Sequence, residues 1–434
     1  MRRHFFVTSV LAVSVYGVAV PADAGTSPHA SSVRTVATRS VSGGSVTADE
    51  RSAVRPAARV LSNFFTGDTC VYLSTKPNAS TECLAVGGYN YLRPGKIVGQ
   101  VQVALHHRWS FAGSYGTINS QTTPAQVSCA RAPRERPRCL FVGSHFPRSG
   151  GPVVLAEWST SGRFTPILTR GPAGTVSSEL DDVSCPNPTF CVMVGSAETP
   201  PGPSEAIAYT WTNGTQLAPL SLPSPANAST MQLSGISCAS PTSCLAVGNY
   251  NTTSGKPLPY AVSLSAGKWR ISKVPPVTGA AITNLNGVSC GAPADCFAVG
   301  YTAGPGFAAF AERFRNGNWK TMRIVAQKHS EFLNISCTVG TRYCVAVGRV
   351  NNASLIEAYK THRIGGQLRG RWIMQPVPTL AGSPDTDLAD VSCLSRTDCT
   401  AVGDRNNPRI NESFRTLAMR WNGTAWVTQA TINK

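Results

Sequence analysis

Leu285-Asn-Gly-Val-Ser-Cys290, then five residues, then Cys296-Phe-Ala-Val-Gly300: the chain returns to this pattern along most of its length, and the pattern decides the fold. Leu233 to Cys238 leads to Cys244-Leu-Ala-Val-Gly248, and Leu180 to Cys185 leads to Cys191-Val-Met-Val-Gly195. Leu388 to Cys393 leads to Cys399-Thr-Ala-Val-Gly403, and Phe332 to Cys337 leads to Cys344-Val-Ala-Val-Gly348. Weaker copies end at Gly143, after Cys129 and Cys139, and at Gly87, after Cys70 and Cys83. In the first copy Leu73-Ser-Thr75 is read as standing where the others have Val-Ser-Cys.

The closing glycines lie 56, 52, 53, 52, 48 and 55 residues apart. A period near fifty belongs to propellers and related arrays. Each unit breaks into four short apolar pieces. The first is Leu-x-x-Val-Ser-Cys and the second Cys-x-Ala-Val-Gly. The third is a run such as Phe307-Ala-Ala-Phe310, and the fourth follows a glycine turn into tryptophan, as in Gly317-Asn-Trp319 and Gly370-Arg-Trp372. Pro275-Pro276 and Pro376-Val-Pro378 punctuate the joints, and no long helical period intervenes. The reading is an all-β chain: a seven-bladed β-propeller of four-stranded blades with one disulfide per blade. One such sheet cannot bury both faces alone, and a ring gives every sheet two neighbours. The repeat's serines (Ser128, Ser184, Ser237, Ser289, Ser336 and Ser392) recur too regularly for a nucleophile and predict a bond between blades.

The 14 cysteines fall into seven consecutive pairs. The expected disulfides are Cys70–Cys83, Cys129–Cys139, Cys185–Cys191, Cys238–Cys244, Cys290–Cys296, Cys337–Cys344 and Cys393–Cys399. Zinc would want closer spacing and histidines, so neither metal nor cofactor is expected. Arg2 and Arg3 precede an apolar run from Phe5 to Val20, with Ala22-Asp-Ala24 after it, so residues 1–24 read as a cleavable export signal. Residues 25–55 read as a disordered linker and 56–434 as the propeller. The chain is then expected outside the cell or at its surface, with no transmembrane segment after cleavage. The net charge of +17 suits an anionic polymer, a glycan or a protein partner, and no nucleic acid is expected outside a cell.

Val-Ser-Cys-x5-Cys-x-Ala-Val-Gly followed by a Gly-x-Trp turn resembles a repeat of secreted actinobacterial proteins. More distantly it is similar to the BNR (Asp-box) and photosystem assembly-factor propellers. The resemblance covers about residues 60–430 and implies the fold alone. The Asp-box, Ser-x-Asp-x-Gly-x-x-Trp, is missing, and Ser265-Ala-Gly-Lys-Trp269 lacks its aspartate.

Candidate site residues are few. Asp182 and Asp390 precede Val-Ser-Cys in their units and could face a shared pocket as an acid and a base for glycosidic chemistry. Their alternative role is turn formation through backbone amides. Arg134 and Arg136 lie in a basic loop that could bind an anion, and Tyr89, Tyr250 and Tyr301 follow the Ala-Val-Gly strand where a sugar could stack. The leading expectation is a non-catalytic secreted propeller that binds a glycan, wall polymer or protein. The alternatives are a propeller-type glycoside hydrolase or lyase acting on extracellular polysaccharide, and a structural surface protein.

Overall fold

A computed structural model describes residues 60–433, apart from short segments at 75–79, 92–96, 116–120, 133–134, 147–152, 160–163, 170, 201, 214–215, 305, 327, 384 and 408–412. The export signal and the linker expected over 1–55 lie outside the described residues. These residues form an all-β propeller of four-stranded blades: seven antiparallel sheets, each with its strands in chain order. The blades span 60–115, 121–169, 177–219, 228–271, 282–322, 330–374 and 386–429 and are numbered 1 to 7. Blade 5 is typical, with strands Ile282–Ala292, Asp295–Ala303, Phe307–Arg315 and Asn318–Met322. First strands touch first strands from sheet to sheet, and the first strand of blade 1 returns to that of blade 7.

All seven expected disulfides are present, each between the first and second strands of one sheet. The paired cysteines face each other in register, with Cα atoms 4.0 Å apart in Cys238–Cys244 and 3.9 Å apart in Cys290–Cys296. Antiparallel strands reverse direction at each hairpin. The first-to-second and third-to-fourth turns therefore share one end of the wheel, where the disulfides sit. The second-to-third turns and the connections between blades share the other.

A β-bulge repeats in every blade. The first strand leaves one residue unpaired just after the leading apolar residue: Thr66, Ala125, Asp181, Ser234, Asn286, Leu333 and Ala389. This explains the closing glycine. A Cβ on Gly87, Gly143, Gly195, Gly248, Gly300, Gly348 or Gly403 would overlap the carbonyl oxygen two residues before the bulge in its own sheet. Crowding of neighbouring strands within one sheet, rather than of blades toward the axis, makes the position glycine.

The recurring serine does join the blades. The backbone N–H of each first-strand cysteine donates to the serine or threonine hydroxyl of the blade before it: Cys185 to Ser128 (3.0 Å), Cys238 to Ser184 (2.9 Å), Cys290 to Ser237 (3.0 Å), Cys337 to Ser289 (2.8 Å) and Cys393 to Ser336 (2.9 Å). Cys129 donates to Thr69 at 3.3 Å, and Cys70 reaches Ser392 of blade 7 at 2.9 Å. The first-copy reading is thereby corrected. Asp68-Thr69-Cys70, not Leu73-Ser-Thr75, occupies the Val-Ser-Cys place, because Cys70 pairs with Cys83 and Thr69 supplies the hydroxyl. Asp68 then stands where the other blades put Val127, Val183, Ile236, Val288, Ile335 and Val391.

Tryptophan from the fourth strand closes gaps between blades. Trp372 is buried against Phe297 of blade 5 and Phe332 of its own blade, with centroids 6.0 and 6.2 Å away. Trp109 of blade 1 donates to Gln429 Oε1 of blade 7 at 2.9 Å, across the seam where the first and last blades meet.

Candidate active site

The residue after each bulge sits at the waist of the wheel. Asp182 and Asp390 hold this place in blades 3 and 7, and both are buried. Asp182 accepts the N–H of Val183 at 2.7 Å through Oδ1, and the N–H of Ile236, from the next blade, at 2.6 Å through Oδ2. Asp390 accepts Val391 N–H at 2.8 Å and Asn334 Nδ2 at 2.7 Å on Oδ1, and Asp68 N–H at 2.7 Å on Oδ2. Burial pushes the Asp182 carboxyl up to about 8 and the Asp390 carboxyl up to about 7, against the pull of these donors. Asn334 and Gln126 hold the same place in blades 6 and 2, and each accepts the next N–H in its own strand. These side chains clasp one blade to another. Backbone amides hold both Asp182 and Asp390, and the charge of Asp390 adds to the rise of Asp182, so the two carboxyls lie within electrostatic reach of each other.

The other sequence candidates scatter. Tyr89 is buried. Tyr250 packs edge-on to Tyr260 at 6.3 Å, and Tyr301 lies 4.9 Å from Phe307. Burial, then the charge of Glu331, raises the Tyr301 hydroxyl, and Tyr250 and Tyr301 are half-buried. Arg136 is exposed on the first-to-second hairpin of blade 2, at the disulfide end, and Arg134 lies outside the described residues.

At the end away from the disulfides, a different set assembles. It comes from the residue before the bulge's leading apolar residue and the residue after the closing glycine, which face each other across the first two strands. In blade 6 these are Glu331 and Arg349, and in blade 7 they are Asp387 and Asp404. Arg349 Nε lies 2.5 Å from Glu331 Oε1. Directly opposed residues in a sheet hold their Cβ atoms about 4.5–5.5 Å apart, and like charges there repel. Asp387 and Asp404 are such a pair. Asp387 Oδ1 is buried without a hydrogen bond. Burial drives Asp387 up to about 6; Arg349 pulls it down and Glu331 pushes it up. Burial also holds Asp404 well above the carboxylate range, with Asp387 and Asp385 adding to the rise and Arg349 opposing it.

Blade 3 adds acid to the same end. Glu179 and Asp181 are both raised by burial, and Gln232 of blade 4 hydrogen-bonds Asp181. Between these acids runs an amide chain: Asn249 donates to Asn284, Asn284 to Asn286 at 2.6 Å, and Asn286 to the Phe332 carbonyl at 2.8 Å. This mouth therefore carries carboxylates and amides, and the charge of Arg349 opposes the rise of both members of the opposed pair. Two carboxyls facing each other do not ionise together at low cost, so one keeps its proton near neutral pH while the other is an anion.

The sequence reading passed over this set because its members flank the repeat instead of belonging to it. The signal was present in the residue after each closing glycine: Gly88, Ser144, Ser196, Asn249, Tyr301, Arg349 and Asp404, charged only in the last two blades.

No family model matches the chain, and no curated protein matches it. Solved structures share the propeller. The structure of two prolyl endopeptidases is 9% identical with TM-score 0.48, covering 85% of this chain and 49% of that one. The microbial sialidase Hz136 is 7% identical with TM-score 0.44, covering 76% of this chain and 75% of that one. The α-L-arabinofuranosidase of Fusarium graminearum, solved with arabinobiose, is 10% identical with TM-score 0.43, covering 86% and 94%. The chain spans about half the length of the peptidases it matches. The shared fold places this chain distantly beside sialidase and arabinanase propellers.

The expectation of a non-catalytic binding propeller is corrected here. The propellers just compared are enzymes, peptidases and glycosidases.

Proposed function

We propose that this protein is a propeller-type glycoside hydrolase acting on extracellular polysaccharide, with its reacting groups at the mouth of a closed seven-bladed wheel. The observation that carries this is the opposition of Asp387 and Asp404 across the first two strands of blade 7, with Asp387 held up to about 6. The protonated member of the pair gives its proton to the leaving glycosidic oxygen. The ionised member faces the anomeric carbon, as nucleophile or as the base that activates water. Arg349, paired with Glu331, keeps positive charge beside the anionic member as the proton moves. The amide chain of Asn249, Asn284 and Asn286 offers donors and acceptors to sugar hydroxyls.

Export is part of the same reading. Seven disulfides suit an oxidising, extracellular setting, and among the described residues no helix is long and apolar enough to cross a membrane.

The test is a reducing-end and fluorogenic screen across neutral and acidic polysaccharides, beginning with arabinan oligosaccharides. Turnover by the oxidised protein that disappears in both Asp387→Asn and Asp404→Asn is the expected result. Absence of turnover across the screen, or turnover that survives in both variants, would refute the proposal.

A further inference from the structure

We infer that the disulfide end of the wheel is a docking face for a linear polyanion carrying phosphate or sulfate groups, and that it leaves the acidic mouth pointing away. This inference does not rest on the hydrolase reading. It starts from the separation of charge along the axis. The first-to-second and third-to-fourth turns share the disulfide end, and there cations dominate. Arg315, Arg363, Arg369 and Arg396 are exposed on the turns of blades 5, 6 and 7, and Arg136 is exposed on blade 2.

The acids of this end are few: Glu135 is exposed beside Arg136, and Asp295 and Asp398 are engaged. Asp295 lies 2.7 Å from Arg313, with Arg315 and Arg342 each 3.9 Å away, so three guanidiniums share one carboxylate. Asp398 is bound by Arg420 at 3.0 Å. Lys360 stands over the Trp421 ring at 5.6 Å, which adds a cation beside Arg420. An excess of positive charge thus runs over three consecutive blades, while the opposite end mixes acids (Glu179, Asp181, Glu331, Asp387 and Asp404) with cations such as Arg349, Lys256 and Lys328.

Three features select a polymer. Most of the cations are arginines, whose planar fork takes phosphate or sulfate oxygens in pairs. Arg396 and Arg136 stand on first-to-second hairpins clipped by disulfides, and Arg315, Arg363 and Arg369 lie in the paired third and fourth strands, so several contacts form without ordering long loops first. Large exposed apolar side chains at this end include Tyr72 at 38% and Leu105 at 44% on blade 1 and Val339 at 87% on blade 6, two separated blades instead of one continuous face, which gives a membrane little to hold. A chain lying along the arc meets one cation after another and releases a counterion at each.

The experiment measures binding of the full oxidised protein to heparin and to long-chain polyphosphate at several salt concentrations, with phosphatidylglycerol vesicles as a third arm. A variant carrying Arg315→Gln, Arg363→Gln, Arg369→Gln and Arg396→Gln is set against a charge-matched control. The control carries Lys256→Gln, Lys273→Gln, Arg323→Gln and Lys328→Gln, all exposed and on turns or connections of the other end. Near-ultraviolet circular dichroism confirms that both fold. The expected result is a loss of about tenfold or more in polymer affinity for the arginine variant, with the slope of log affinity against log salt flatter by about three. The control should stay within about twofold. Equal losses in both variants would reduce the effect to net charge and overturn the inference. So would no polymer binding near physiological salt, or vesicle binding as tight as polymer binding and lost in the same variant.

Discussion

Asp390 and Asp387 stand three residues apart in one strand, yet they live in opposite chemical situations. Asp390, just after the bulge, is filled by two backbone amides and the Asn334 side chain. Asp387, just before it, has an unpartnered oxygen and faces Asp404. The bulge makes the difference. It turns the strand so that one carboxylate reaches the open edge of a neighbouring blade and the other reaches the mouth. Two acids of the same type therefore divide into a fastener and a reagent, and what distinguishes them is the donors that meet them.

The largest expected break in this comparison is catalytic. Asp387→Asn or Asp404→Asn should lower kcat by about 10²–10⁴-fold, the range of a lost acid or base, with thermal stability unchanged or raised. Replacing like charges that face each other removes repulsion. Asp182→Ala and Asp390→Ala should do the reverse. They leave two and three buried donors without acceptors, at a cost of about 1–3 kcal/mol for each donor, read as a lower midpoint in chemical denaturation. If the mouth variants unfold and the waist variants do not, the division of roles is wrong.

The next effect is on pH. Every shifted carboxyl named at waist and mouth, Asp182, Asp390, Asp387, Asp404, Asp181 and Glu179, is raised in the folded state, chiefly by burial. Such a group binds its proton more tightly folded than unfolded. Its contribution is complete below the ordinary carboxylate range and is lost as pH rises through the folded values, about 6 for Asp387, 7 for Asp390 and 8 for Asp182. The melting temperature should therefore rise between pH 8 and pH 5. A flat or falling trend over that window would contradict the burial of these groups.

A smaller effect sharpens the comparison at the seam. Asp68 is buried with both carboxylate oxygens unpartnered, where six blades place valine or isoleucine. Burial, then the charge of Asp390, holds its carboxyl well above the usual range. Asp68→Val should stabilise the protein at pH 8 by about 1–3 kcal/mol in denaturant titration, and by less at pH 5. Destabilisation at both pH values would show that Asp68 has a partner the structure lacks.

The wheel was legible in the sequence because its fasteners recur. Cysteine pairs, the serine before each first cysteine and the closing glycine each answer a need that arises once per blade, so spacing exposes them. Asp182 and Asp390 were visible as positions but not as roles. A bulge leaves no mark in one strand's sequence, and only the register, Leu180 on Gly195 but Asp182 on Val194, and Leu388 on Gly403 but Asp390 on Val402, reveals where each aspartate goes. The first copy misled because Asp68-Thr69 replaces Val-Ser, and the apolar landmark was sought further along at Leu73. Asp387 and Asp404 were hidden for another reason. They lie 17 residues apart, on either side of a disulfide hairpin, and become neighbours only once the register is known.

The claim on which the functional account stands is that Asp387 is a recessed acid still protonated in mildly acidic solution. Carboxyl carbon-13 titration of aspartate-labelled, oxidised protein, assigned with Asp387→Asn, measures it without any substrate. The account predicts a midpoint near 6 for Asp387. A midpoint in the ordinary aspartate range, near 4, would place that carboxylate in open solvent and contradict it.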